Sequence, residues 1–381
     1  MAATLTIVNC RAVLPDRVVP GCAIVIEQGR MSAVGPGATK SGEVFDAAGM
    51  LAVPGFVDIH VHGAAGHEFN EGAAEAAHAV LRAHARHGTT TLLAAVYTAP
   101  RDTMLNALRM LAALAQPEDG AEMAGIYLEG PFLSKKRRGV QPEETIVAPD
   151  LALFNDMAEA ASGKLRIFAL APEAPGALEV IRAAVSRGVR VSMAHTDATY
   201  VQVKAAVADG LSHVSHLFNG MRGIHHREPG AAGAGLLLNE LGVELIADGI
   251  HVLPEIVNLT IRVKGLERVV LISDALAPTG MPPGRYHVAG QAIEVGDGWA
   301  RSVEPEMPVS VSTMEQAFRN AAAWTGLPLP QIAGLTSLNP AGVAGLASRK
   351  GSLEPGKDAD IVLLRDDLSA GTVFLRGRRL E

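Results

Sequence analysis

Eight short apolar segments alternate with helical segments through most of the chain. Segments rich in β-branched and other apolar residues occur at residues 53–62, 88–96, 125–131, 165–173, 190–195, 213–216, 243–248 and 268–274. Helical periodicity follows several of them, at about 71–86, 101–115 and 177–187. Strands that alternate with helices predict a parallel sheet with helical crossovers. Eight such units predict an α/β fold, a closed TIM-like β/α barrel whose chemistry lies at the C-terminal strand ends.

The two ends of the chain have a different texture from the middle. Residues 23–35 predict a β-hairpin with a glycine turn, and residues 359–364 and 372–377 predict further strands near the C-terminus. We therefore expect one small β-sandwich module built from both termini, residues 1–52 and 346–381. The barrel would then span residues 53–345.

Composition excludes several classes of protein. The 381 residues are 48% hydrophobic and 19% charged, with a formal net charge of −7, which argues against a nucleic-acid binder. No apolar run reaches the roughly 18 residues of a membrane helix, so no membrane partner is expected. Only Cys10 and Cys22 occur, which predicts neither a disulfide framework nor a cysteine zinc site. With no signal-peptide pattern at the N-terminus, we expect a cytoplasmic protein.

Two histidines close the first predicted barrel strand. His60 and His62 are separated by one residue, so their side chains leave the strand on the same face. Two neutral imidazoles directed at one point are suitable metal ligands. Alone, such a pair is equally typical of histidines solvated at a loop edge.

Further polar residues stand at the ends of other predicted strands. Glu129 ends the third, His195 the fifth, His216 the sixth and Asp274 the eighth. Imidazole and carboxylate ligands suit zinc, and also iron, manganese or cobalt, so the residues leave the metal's identity open. Such a metal activates water, and Asp274 is the candidate acid and base for proton transfer. Asp58 either orients a ligand histidine or has a structural role.

Several motifs carry a resemblance to a known family. They are residues 54–63 (PGFVDIHVHG), 128–132 (LEGPF), 216–221 (HLFNGM), 227–230 (REPG), 247–251 (ADGIH) and 273–280 (SDALAPTG). The chain resembles the amidohydrolase superfamily and, within it, the N-acetylglucosamine-6-phosphate deacetylases. This resemblance implies Glu129, His195 and His216 as the principal metal ligands, and Asp274 as the catalytic acid/base.

The resemblance also implies that His60 and His62 complete a second metal site in some members, bridged by Glu129. We therefore expect one or two divalent ions per subunit, with zinc foremost. The implied substrate contacts are Val140, Gln141, Asn219, Gly220, Arg227, His251 and Met307. In the family, the position of Arg227 reaches the neighbouring subunit's site, which implies a homodimer.

Two basic stretches have more than one interpretation. Arg227 presents a planar fork suited to phosphate, and His225 and His226 add donors, although the same tripeptide also fits a solvated basic loop. Residues 135–138 (KKRR) fit a charged surface loop, or one that steers anionic substrates.

Two departures from the family pattern concern the substrate. Gln141 stands where the family usually has a histidine near the scissile amide, and residues 307–310 read MPVS where the family usually has LAGS. The expected reaction is hydrolysis of the N-acetyl group of N-acetylglucosamine 6-phosphate, a small amino-sugar phosphate, giving glucosamine 6-phosphate and acetate. The alternatives are the same deacetylation of N-acetylgalactosamine 6-phosphate or an unphosphorylated substrate, or a non-catalytic sugar-phosphate-binding regulator.

Overall fold

The computed structural model of the chain describes residues 4–39, 41–304 and 306–381. Its strands, in chain order, are β1 Leu5–Val13, β2 Val18–Glu27, β3 Arg30–Gly35, β4 Glu43–Asp46, β5 Leu51–Pro54, β6 Phe56–Val61, β7 Gly63–Ala64, β8 His67–Glu68, β9 Thr89–Tyr97, β10 Glu122–Glu129, β11 Leu165–Leu170, β12 Arg190–Met193, β13 Leu211–Val214, β14 Gly242–Ile246, β15 Val269–Ile272, β16 Gly284–Val288, β17 Gln291–Gly296, β18 Trp299–Ser302, β19 Met307–Val309, β20 Ile361–Leu364, β21 Ala370–Leu375 and β22 Arg378–Arg379.

The α-helices separate most of the central strands. They are α1 Ala74–Arg86, α2 Arg101–Ala113, α3 Leu151–Ala160, α4 Ala177–Ser186, α5 Tyr200–Ala208, α6 Gly230–Leu237, α7 Pro254–Lys264, α8 Met314–Thr325, α9 Leu329–Ala333 and α10 Asn339–Val343. Among the described residues, no helix has both the length and the apolar character needed to cross a membrane.

Eight parallel strands form the barrel. Their spatial order is β6-β9-β10-β11-β12-β13-β14-β15, which follows the chain. The first and last strands meet where the Asp274 amide donates to the His60 carbonyl at 3.0 Å and Val61 pairs with Ala275. All eight predicted strand segments are therefore confirmed, as is the barrel. Because helices and barrel interior cover both faces, strands such as β6 and β15 are buried at every residue.

A second sheet joins the two ends of the chain. It contains β1 to β5 and β20 to β22, and its two parts meet where β5 pairs antiparallel with β20. The predicted hairpin is β2 and β3, whose turn residues Gln28 and Gly29 have positive φ angles of 51° and 77°. The prediction of one β module from both termini is confirmed. Its division from the barrel at residues 52 and 346 stays a prediction.

A third sheet was not predicted. Strands β16 to β19 form an antiparallel meander between β15 and α8. The alternating pattern and the Ala289-Gly290 and Asp297-Gly298 turns are the signals that could have indicated it. Its residues Val288, Ala289 and Met307 reach the mouth of the barrel and line the pocket there. The meander therefore contributes one wall of the candidate site.

Candidate metal centre and substrate pocket

Six predicted side chains converge at the C-terminal end of the barrel. They form two groups in which the potential ligand atoms lie within 4.8 Å of one another: Glu129, His195 and His216 in one, and His60, His62 and Asp274 in the other. The strands β6, β10, β12, β13 and β15 deliver these residues within two positions of their C-terminal ends. The barrel thus gathers side chains that lie more than 200 residues apart in the sequence.

The Glu129 carboxylate lies between the two groups. Its Oε1 is 2.8 Å from His216 Nε2 and 3.3 Å from His195 Nε2, and its Oε2 is 3.6 Å from His62 Nε2. Asp274 Oδ1 lies 3.3 Å from the same His62 nitrogen. Two ligands of one tetrahedral ion are about 3.4 Å apart, given bonds of about 2.1 Å. Most of these spacings therefore suit ligands that share a metal.

Three of the four candidate imidazoles form a hydrogen bond through Nδ1. His60 Nδ1 lies 2.9 Å from Glu244 Oε2, His195 Nδ1 lies 2.9 Å from the Arg137 carbonyl, and His216 Nδ1 lies 3.2 Å from the Asn219 carbonyl. A hydrogen bond at Nδ1 fixes the tautomer and leaves Nε2 free for a metal. All three rings consequently direct Nε2 at the centre.

The charges of the site call for a cation. Burial lowers the pKa of His60, but the carboxylates of Glu244, Asp274 and Glu129 outweigh it and raise that pKa to about 10. Among the described residues, the buried His60 Nε2 has no hydrogen-bond partner. An unpaired donor or acceptor in such a position is costly unless a ligand takes it. A bound divalent ion would satisfy both the nitrogen and the surrounding negative charge, so the residues fit the metal that the family resemblance implies.

Glu244 was missed by sequence reasoning. It lies within the buried strand β14, with its side chain fully buried, and it contacts His60, His213 and the His216 amide. Burial raises its pKa, but the two histidines outweigh this effect and lower the pKa to about 2. Its ionised carboxylate therefore orients His60. The signal was available, since one carboxylate interrupts an otherwise apolar strand.

The sequence allows two roles for Asp58, orienting a ligand histidine or supporting the structure, and its contacts favour the structural one. Its Oδ1 accepts the amide protons of His60 and Ser273, both at 3.3 Å, and so links the first and last barrel strands. Burial raises the pKa of Asp58, and hydrogen bonds to its carboxylate offset only part of this effect. The resulting pKa is about 7.

Three of the six side chains sit on strained backbone. His195, His216 and Asp274 have positive φ angles of 43°, 28° and 50°, in the left-handed region that residues with a Cβ avoid. Such strain persists only where the surrounding structure imposes it, and it concentrates at functional sites. Here it turns three strand ends so that their side chains point into one centre.

A pocket opens beside the six residues. Of the predicted substrate contacts, Val140, Gln141, Asn219, Gly220, His251 and Met307 line it, together with Tyr97, Leu276, Val288 and Val309. Gly220 is required there, because a Cβ at this position would come within 2.6 Å of His195 Nδ1. The structure thus brings six of the seven predicted contacts to one cavity.

Arg227, the seventh predicted contact, does not line this pocket. Its side chain is exposed, and its guanidinium approaches His226 Nε2 at 2.6 Å.

The basic loop at 135–138 is not a free surface loop. Lys136 and Arg137 pair with Asp197 at 2.8 and 2.9 Å, and the Arg137 carbonyl accepts from His195. This loop therefore helps to orient a candidate ligand.

The comparisons with known proteins agree with this geometry. A model of the amidohydrolase family matches residues 51–380. The chain therefore belongs to the amidohydrolase family.

The names of individual relatives are more specific than the name of the family. The chain is 36% identical over 329 residues to N-acetylgalactosamine-6-phosphate deacetylase of Escherichia coli O157:H7, covering 86% of this chain and 87% of that protein. It is 34% identical over 384 residues to N-acetylglucosamine-6-phosphate deacetylase of Bacillus subtilis strain 168, covering 99% and 97%. It also matches a solved variant of N-acetyl-D-glucosamine-6-phosphate deacetylase from Mycobacterium smegmatis in complex with N-acetyl-D-glucosamine-6-phosphate. That match has a TM-score of 0.92 and 34% identity and covers 100% of both chains.

Proposed function

We propose that this protein hydrolyses the N-acetyl group of N-acetylglucosamine 6-phosphate, releasing acetate and glucosamine 6-phosphate. The observation that carries the proposal is the convergence of two potential metal-ligand groups on Glu129, with Asp274 facing them, in a pocket. A pair of similar deacetylases supports the substrate class.

Glu129, His195 and His216 would hold the principal ion, and His60 and His62 a second one that shares Glu129. When bound, a divalent ion would lower the pKa of water and polarise the acyl carbonyl. Zinc suits these nitrogen and oxygen donors best, while iron, manganese and cobalt are compatible with them. The residues of the chain then have to bind the substrate and move protons.

Asp274 is the proposed proton carrier. Burial raises its pKa, but His60 and His62 outweigh this effect and lower it, so the side chain is a carboxylate at neutral pH. It can accept the proton of the attacking water as the oxygen adds to the acetyl carbon. It then delivers that proton to the amide nitrogen as the C–N bond breaks, which leaves acetate and a free amine.

His251 and Gly220 are proposed to hold the sugar phosphate. His251 Nδ1 lies 2.6 Å from Asp248 Oδ2, which fixes the ring and leaves Nε2 without that partner; in the imidazolium form Nε2 would donate to the phosphate. Asn219 joins them, while Val140 and Met307 form apolar parts of the wall. Charge-assisted donors of this kind suit a phosphate oxygen.

We also propose a homodimer in which Arg227 reaches the partner's pocket. Arg227 is exposed and leaves its own pocket without a guanidinium among the described lining residues. Ile224, Leu237 at the end of α6 and Leu253 just before α7 are between 56% and 59% exposed, and a second copy would cover apolar side chains of this kind. Arg227→Ala should then raise KM for the phosphorylated substrate while gel filtration still shows a dimer.

The test is acetate release from four substrates: the 6-phosphates of N-acetylglucosamine and N-acetylgalactosamine, and both sugars without phosphate. We expect the highest kcat/KM with N-acetylglucosamine 6-phosphate and a large loss without the phosphate. Equal rates with and without phosphate would contradict the roles of His251 and Arg227. Tight sugar-phosphate binding with no acetate release after metal addition would instead support a regulator.

N-acetylgalactosamine 6-phosphate is the second candidate substrate. Its support is the relative that acts on this epimer, which is as similar to the chain as the glucosamine enzymes are. Gln141 and residues 307–309 lie in the pocket where the family pattern differs. A higher kcat/KM for the galactosamine epimer in the four-substrate assay would decide in its favour.

Cytoplasmic location is part of the proposal. Cys10 and Cys22 are both free and buried, as expected for a protein that does not depend on disulfides.

A further inference from the structure

The two oxygens of Glu129 face different candidate ligands. Oε1 lies 2.8 Å from His216 Nε2 and 3.3 Å from His195 Nε2. Oε1 also lies 3.8 Å from His60 Nε2, whereas Oε2 lies 3.6 Å from His62 Nε2. The carboxylate presents an oxygen to His62 only while its plane keeps Oε2 in this direction.

Gln141 holds that second oxygen. Its Nε2 donates to Glu129 Oε2 at 2.6 Å, and its Oε1 accepts from the Thr98 amide at 3.1 Å. A backbone amide can only donate, so the Gln141 oxygen must face Thr98 and its NH₂ group must face Glu129. The direction of the Gln141–Glu129 hydrogen bond is thereby determined.

The Gln141 side chain is itself fixed. It is buried, and its main-chain amide and carbonyl both bond to Arg138 at 3.0 Å. Thr98, which receives the other end of the side-chain amide, follows β9 and donates through Oγ1 to the Thr145 carbonyl at 3.0 Å. Strand β9 and the loop after β10 together set where the donor stands.

We propose that Gln141 is a positioning residue that keeps Glu129 Oε2 directed at His62, so that the chain holds two divalent ions instead of one. This inference rests on the proposed metal-dependent function. A neutral amide suits the role, because it donates to the carboxylate without placing positive charge beside the second ion. Hydrogen-bond partners of metal ligands change metal affinity by about 10- to 100-fold when removed.

The experiment compares the purified full-length protein with Gln141→Leu, which removes the donor at similar size. The matched control is Gln116→Leu, because Gln116 bonds through both amide atoms to Met123 at the opposite end of the same strand β10. The measurements are zinc content per chain by elemental analysis, and titration of the chelator-treated proteins with Co²⁺ followed by visible absorption. If Gln141→Leu does not fold, Gln141→Asn, whose amide is withdrawn by one methylene, replaces it.

We expect two ions per chain in the wild type and in Gln116→Leu. In Gln141→Leu we expect one ion at wild-type affinity, and a second whose Kd is raised about 10- to 100-fold. Two ions of unchanged affinity in Gln141→Leu would overturn the positioning role. A wild type that releases acetate with a single ion would overturn the two-ion inference alone, whereas one that binds no ion and releases no acetate would overturn the proposed function too.

Discussion

Strand β10 carries a glutamate at each end, partly buried at its start and fully buried at its end, and the two serve opposite purposes. Glu122 begins the strand and meets Lys350 at 2.9 Å and Arg349 at 3.0 Å, in a cluster that joins the C-terminal segment to the base of the barrel. Glu129 ends the strand among histidines. At the base the protein supplies its own cations, while at the mouth it supplies imidazoles and carboxylates.

The difference lies in how each cluster is completed. Lys350 is buried and also contacts Asp358 at 3.0 Å, as well as Asp360. These pairs lower the pKa of Glu122 to about 2 in spite of its burial. At the mouth, by contrast, the pKa of His60 is raised to about 10, because carboxylates outnumber cations there. Arg376, 3.8 Å from Glu122, gives the base cluster a third cation for its three carboxylates. That cluster is therefore neutral by itself, whereas the cluster at the mouth has an excess of negative charge that a bound cation would offset.

The largest expected effect comes from the proposed proton carrier at the mouth, Asp274. Asp274→Asn should lower kcat by about 10³-fold or more, because an amide cannot accept the proton of water. Elemental analysis should show that metal remains bound through Glu129, His195 and His216. Asp358→Asn at the base is the matched control and should keep its turnover. Near wild-type turnover in Asp274→Asn would contradict the mechanism.

Removal of metal should separate the two clusters further. Dialysis against a chelator should abolish acetate release and lower the Tm, and added zinc should restore both. An ion at 1,000 times its Kd stabilises the folded state by about 4 kcal/mol. We expect zinc to stabilise a Lys350 variant by the same amount, because the base cluster does not bind the ion. A Tm that does not change when zinc is added would argue against a metal site in the folded protein.

Breaking the base cluster should change stability but not chemistry. Lys350→Met leaves three largely buried carboxylates short of a partner, so we expect the free energy of unfolding in urea to fall by about 3–5 kcal/mol. The exposed pair of Arg82 and Asp119 offers a control, since Arg82→Met should cost less than about 1 kcal/mol. Turnover per folded molecule should not change. A small loss of unfolding free energy in Lys350→Met would mean that hydration or repacking compensates for the lost ion pairs.

Acid should weaken the base cluster over a defined range. The pKa of Glu122 is lowered from 4.5 to about 2, so its contribution is complete above about pH 4.5 and is lost as the pH falls towards 2. The unfolding free energies of wild type and Glu122→Gln should therefore differ most at neutral pH. That gap should narrow by up to about 3 kcal/mol in acid. A gap that does not depend on pH would show that Glu122 acts by packing.

Much of this architecture was predictable from the sequence. The strands alternate with helices, and a barrel's polarity places every strand end at one mouth, so His60, Glu129 and Asp274 could be grouped without coordinates. The side-chain period of two in a strand was sufficient to put His60 and His62 on one face.

The remaining features depend on contacts that no local pattern encodes. Glu244 looks like an ordinary strand residue until the fold sets it beside His60. Gln141 was expected to contact the substrate; it lines the pocket, but its amide is bonded to Glu129. The meander of β16 to β19 was missed because short, exposed strands give a weak signal between two stronger barrel elements.

The most direct test is titration of the metal-free protein with zinc while acetate release from N-acetylglucosamine 6-phosphate is measured. We expect no release without the ion, a rise in proportion to zinc bound, and saturation at no more than two ions per chain. Full activity in the presence of excess chelator, with no ion bound, would contradict a metal-centred site at the mouth of the barrel.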